Sequence, residues 1–126
     1  MRRLLAPLLA AVLLSTSAGA GLLCARTRSP DEKVIAAYTT SLANRSAGQI
    51  ENAVSAARTL NGAVVRPGEV FSFNRRVGPW TADRGYRRAP VSYDGEITLA
   101  VGGGVCQLST TLYGATLVAG MDIVER

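Results

Sequence analysis

Gly102-Gly103-Gly104-Val105-Cys106-Gln107-Leu108-Ser109-Thr110-Thr111-Leu112-Tyr113 is the stretch on which the reading of this 126-residue chain turns. Three glycines run into a cysteine, and the cysteine opens a segment that reads as a helix. Glycine lets the backbone approach a neighbour closely and reach positive φ. A helix N-terminus directs free N–H groups and partial positive charge outward. A thiol placed there is drawn toward thiolate, its reactive form. Cys106 then has two readings. In one it is a nucleophile, Gly102, Gly103 and Gly104 leave room for a substrate, and backbone N–H groups with the Gln107 side chain hold an oxyanion. In the other it is a small buried hydrophobe. Ser109, Thr110 and Thr111 divide the same way: ligand-binding hydroxyls at an anion-attracting helix start, or groups bonded back to the preceding turn.

Outward from that stretch the chain alternates short strands with two helical patterns. The helix opened by Cys106 runs over 106–119 and closes at Gly120. Upstream, Asp94-Gly95 is a hairpin turn signal between strand candidates at 90–93 and 96–101. A second helix is predicted over 47–60. Ser46 is its N-cap, Ile50, Ala53, Val54, Ala57 and Leu60 recur at helical spacing, and Asn61-Gly62 ends it. Strands are predicted at 34–42, buried on both faces, and at 63–65 and 70–73. The last two pair as a hairpin around Pro67-Gly68, with Phe71 and Phe73 on one face. A further strand starts at 121–124. The sum is α+β: a small single domain with an antiparallel-rich sheet and two main helices.

Residues 74–89 read as an irregular loop rich in arginine. Arg75, Arg76, Arg84, Arg87 and Arg88 stand against Asp83 alone, with Trp80 and Tyr86 interleaved. Arginine binds planar anions bidentately. Outside the cell such a loop meets peptidoglycan carboxylates, anionic wall polymers or lipid headgroups. For each arginine taken singly, a solvated loop residue is the plainer reading.

The formal net charge is +5 and histidine is absent, so no Ser-His-Asp or Cys-His pair can be assembled from this chain alone. The two cysteines, Cys24 and Cys106, lack the spacing of a zinc site, and neither a metal nor another cofactor is expected. Residues 1–25 read as an export signal or an N-terminal membrane anchor. Arg2 and Arg3 form the positive start, an apolar run follows, and Ala18-Gly19-Ala20 is a cleavage pattern. No charged residue falls between Arg3 and Arg26, a stretch long enough to span a bilayer. Residues 26–33 read as a linker and 34–126 as the folded domain. An exported basic chain makes nucleic acid an unsuited partner.

Residues 34–126 resemble the VanW family. The resemblance is carried, in order, by Tyr38-Thr39-Thr40-Ser41, Asn44-Arg45, Asn52, Asn61-Gly62 and Pro67-Gly68-Glu69. Phe71-Ser72-Phe73-Asn74, Val77-Gly78, Gly85-Tyr86 and Ala89-Pro90 come next. The 102–113 run follows as its most specific part, then Ala119-Gly120 and Ile123-Val124-Glu125-Arg126. The resemblance implies an exported or membrane-tethered protein at the cell wall, linked to vancomycin-type resistance, and implies no particular reaction. It also implies that the domain continues past Arg126, which would leave an open sheet edge here.

Three functions are therefore expected of this sequence. The first is an envelope protein that contacts peptidoglycan or its precursors through the arginine-aromatic loop and the glycine-cysteine helix start. The second is a cysteine-dependent hydrolase or acyl-transferase of wall peptides, with Cys106 as nucleophile. The third is a non-catalytic remnant.

Overall fold

A computed structural model describes residues 33–125. The leader, most of the linker, Cys24 and Arg126 lie outside the described residues. Helix α1 spans Ala47–Leu60, α2 Phe73–Val77 and α3 Val105–Val118. Strands β1 (Arg88–Tyr93) and β2 (Glu96–Val101) form one antiparallel pair. A single 3-10 turn, Ala82–Arg84, precedes them. The molecule is α+β, as the pattern implies.

Local signals start α1. Ser46 Oγ accepts from the Gln49 N–H and Gln49 Oε1 accepts from the Ser46 N–H, at 3.3 and 3.0 Å. That reciprocal box satisfies two donors a helix start leaves open. The buried face of α1 is made of Asn52, Ala53 and Ala56, not of the larger apolar residues, and Ile50 is exposed. Small side chains let α1 lie close against α3 and β1. Gly48 makes the same approach: a Cβ there would stand 3.3 Å from Ala89 Cβ.

The hairpin forms as its turn signal dictates. Asp94 and Gly95 have φ of 48° and 86°, the two positive values a two-residue primed turn needs. Register runs from Arg88 opposite Val101 to Tyr93 opposite Glu96. Ala89 is buried toward α1, whereas Ile97 and Leu99 on the other face are exposed. The core is small: Ala56, Val77, Tyr86 and Val105, with Leu60, Phe73, Trp80 and Leu108 packed on it.

Four strand expectations fail. Residues 34–42 form no strand and are not buried on both faces; Val34, Ile35 and Tyr38 are exposed. This segment lies as extended chain along α3, where the Tyr38 ring occupies the space beside Gly114 and Thr40 Oγ1 meets Thr111 Oγ1 at 2.6 Å. Residues 63–65 and 70–73 do not pair. The turn at Pro67-Gly68 does form, with Glu69 N–H to Arg66 O at 3.0 Å and Gly68 at φ 77°. Its flanks diverge, because Ser72 Oγ accepts from the Arg75 N–H and draws Phe73 into α2, inside the loop expected at 74–89. Residues 121–124 are irregular. In each case β-favouring residues lack a partner ladder, and a strand without one leaves its N–H and C=O groups unpaired.

Among the described residues no helix is long and apolar enough to cross a membrane, and no group of His, Cys, Asp and Glu is placed to hold a metal ion.

Candidate functional site

The glycine triplet is a junction, and each glycine answers to a different neighbour. Gly102 has φ 87° and donates to Arg87 O at 3.1 Å; a Cβ there would come within 2.8 Å of Trp80 Cβ. A Cβ at Gly103 would overlap the carbonyl of Ala89. One at Gly104, which has φ 101°, would overlap the backbone of Gln49. Gly103 and Gly104 are buried. The space their missing side chains leave is filled by β1 and α1, so close packing accounts for it.

Asn52 ties this junction together. Its Nδ2 donates to Gly103 O at 2.8 Å and to Arg87 O at 2.9 Å, and its Oδ1 accepts from the Arg87 N–H at 2.8 Å. It is 1% exposed. One side chain thus joins α1, the segment entering β1 and the loop into α3. Beside it, Gln49 Nε2 donates to Pro90 O at 2.9 Å. Sequence reasoning did not single out Asn52 as a site residue. The available signal was a lone amide amid the small residues of the α1 face.

Cys106 is the second residue of α3 and is exposed, with no disulfide. Gln107 Oε1 accepts from Arg45 Nη2 at 3.0 Å, and the Gln107 N–H donates to Gly104 O at 3.1 Å. The Gln107 side-chain oxygen and its backbone N–H are therefore engaged within the protein, while its Nε2, the group that would donate to an oxyanion, takes no part in these contacts. Arg45 is a contact the sequence reading did not foresee. Ser109 Oγ donates to Cys106 O at 3.0 Å and Thr111 Oγ1 to Gln107 O at 2.8 Å, the back-bonded arrangement, while Thr110 is exposed.

The arginine set disperses. Arg87 Nε pairs with Glu51 Oε2, Arg84 Nη1 donates to Gly78 O at 2.7 Å, and Arg88 Nη2 donates to Leu99 O at 3.2 Å. Tyr86 is a core residue, 5% exposed. Burial pushes its phenol above the ordinary value of 10.0, while the Arg84 charge and a hydrogen bond with Thr59 act the other way. Trp80 packs its ring 6.4 Å from that of Phe73. Arg75 and Arg76 line a groove of about 260 Å³. Its walls are Ala63, Val64, Val65, Val70 and Phe71, and Glu69 and Ser72 complete it. The Glu69 carboxylate accepts from the Arg66 N–H at 3.0 Å. Both guanidiniums are exposed and have no acidic partner among the described residues. The arrangement offers an anion two adjacent cations beside an apolar wall.

A family model described as VanW like protein matches residues 48–126. An uncharacterized protein of Bacillus subtilis (strain 168), YoaR, is 40% identical over 89 residues, covering 71% of this chain and 29% of the relative. The vancomycin B-type resistance protein VanW of Enterococcus faecalis (strain ATCC 700802 / V583) is 37% identical over 78 residues, covering 62% of this chain and 28% of the relative. The chain thus spans less than a third of the length of these curated relatives. No solved structure matches it. The matched residues include α1 from Gly48 onward, the hairpin, the glycine junction and α3, and on that match the chain belongs to the VanW family.

Proposed function

We propose that this chain is an exported cell-envelope protein that associates with peptidoglycan or its precursors and is accessory to vancomycin-type glycopeptide resistance. The observation that carries the reading is the groove at Arg75 and Arg76. Two unpaired guanidiniums beside an apolar wall suit a ligand with both a carboxylate and aliphatic side chains, as wall stem peptides have. The name of the Enterococcus relative supports the resistance link, and the leader read at residues 1–25 supports export. A tether through that leader would hold the groove near the membrane, where precursors emerge.

The test is retention of the full chain on purified peptidoglycan. Retention should fall as salt is raised from about 50 to about 500 mM. Arg75→Gln and Arg76→Gln should each weaken it about fivefold. Undiminished retention in the double variant sinks the groove as the contact surface.

Exposure of Cys106 favours a second reading, a cysteine-dependent hydrolase or acyl-transferase of wall peptides. That chemistry needs a base, which no histidine of this chain supplies. The native protein should react with a small alkylating reagent at Cys106. A rate no faster than that of a free thiol at the same pH removes the enzymatic reading.

A further inference from the structure

The groove beside Arg75 and Arg76 carries charge of both signs, because Glu69 lines it with them. Among the described residues neither guanidinium pairs with that carboxylate. Each charge belongs to an element of its own. Glu69 is tied to its turn: its N–H donates to Arg66 O and its Oε2 accepts from the Arg66 N–H, both at 3.0 Å. Arg75 and Arg76 are carried by α2, whose start is set by Ser72 Oγ accepting from the Arg75 N–H at 3.4 Å. An ionised carboxylate can accept about four hydrogen bonds, so the bond to the Arg66 N–H leaves most of the capacity of Glu69 for a donor from outside. Val64, Val65 and Val70, which line the same groove, are exposed as well. A cationic side, an acidic side and aliphatic surface thus lie open together. The acid also selects. Two cations alone attract any anion, whereas Glu69 repels a ligand that brings negative charge and no positive charge, such as an anionic wall polymer.

We propose that this groove takes a zwitterionic peptide, with an ammonium group on Glu69 and a carboxylate on Arg75 and Arg76. The inference rests on the reading of the same groove as a contact for wall stem peptides, and it narrows that reading to one kind of stem. The diamino acid of a stem peptide keeps a side-chain ammonium until cross-linking converts it to an amide. An amide is neutral and has no charge to offer Glu69. An uncross-linked stem therefore presents both charges the groove complements. A stem joined through its diamino acid presents the carboxylate alone and leaves Glu69 unmatched beside its ligand. The groove discriminates between the two by charge, and aliphatic side chains of either stem meet the same valines.

Equilibrium binding of synthetic stem peptides to the full chain tests this. One probe has its α-amine acetylated and keeps a lysine ammonium and a free terminal carboxylate. The other is the same peptide with the lysine acetylated as well. The wild type should bind the first about fivefold more tightly than the second. Glu69→Gln retains an oxygen for the Arg66 N–H and should abolish the preference, by weakening the first peptide to the level of the second. Arg75→Gln combined with Arg76→Gln should weaken both peptides alike. The comparison of the two peptides on the wild type needs no variant, so it decides the matter even if Glu69→Gln does not fold. Equal binding of the two peptides by the wild type overturns the inference, as does a preference that persists in folded Glu69→Gln. A wild type that binds neither peptide overturns it too. In each of these cases a loss of peptidoglycan retention in the double arginine variant would leave the broader envelope reading standing, and undiminished retention would remove both.

Discussion

Asn52, itself buried, makes three hydrogen bonds with two segments distant in sequence, one buried and two half-buried. Removing its amide leaves the Arg87 N–H and the Gly103 carbonyl without that partner, while the Arg87 carbonyl keeps the Gly102 N–H. Unmet buried groups cost more than a hydrogen bond contributes when made. Asn52→Ala is expected to destabilise the domain by about 2–4 kcal/mol in urea unfolding. A loss below about 1 kcal/mol would show that the junction does not depend on it. Tyr86 predicts a pH effect. Its folded pKa is raised by burial, so above the ordinary value of 10.0 the unfolded chain releases a proton that the folded chain keeps. Stability is thus fully present below about pH 10 and falls as pH rises further. Tyr86→Phe should flatten that alkaline decline in denaturation measured from about pH 8 to about pH 12, an interval that extends well above the ordinary phenol pKa. A residue's type was plain in the sequence at both positions. Its partners were not: Asn52 meets Arg87 and Gly103 only once α1 lies across the hairpin.

Elements that rest on local chemistry were legible in advance. Helix α1 begins at Ser46 because a hydroxyl and an amide three residues apart satisfy each other's backbone donors. The hairpin turns at Asp94-Gly95 because those residues accept positive φ. Ser46→Ala should cost about 1 kcal/mol of stability, the usual worth of an N-cap. Gln49→Ala should cost more, because Gln49 also bonds Pro90 O, and comparing the two by urea titration separates the cap from the tie to β1. Residues 34–42, 63–65, 70–73 and 121–124 were misread for a common reason. Their side chains favour a pleated surface, but strand formation requires a second strand, and pairing is not encoded within the segment. Residues 34–42 instead follow α3, held by Tyr38 over Gly114 and by the Thr40–Thr111 contact.

For the whole molecule, what matters is which charges are spent in the fold and which are left to act outward. Arg84, Arg87 and Arg88 bind the protein's own carbonyl or carboxylate oxygens, and Arg75 and Arg76 line the groove. The double Arg75→Gln/Arg76→Gln variant should therefore leave stability within about 0.5 kcal/mol of wild type while peptidoglycan retention falls. A matching loss of stability would mean that those arginines serve the fold. The sequence by itself determined the α+β class, the two long helices, the hairpin and the family, because caps, turns and periodicity act over a few residues. Only the tertiary structure decided what the glycine triplet is for and which arginines remain available. Both depend on segments far apart in the chain: Gln49, Trp80 and Ala89 occupy the space beside Gly102, Gly103 and Gly104, and excluded volume of that kind exists only after the elements have packed.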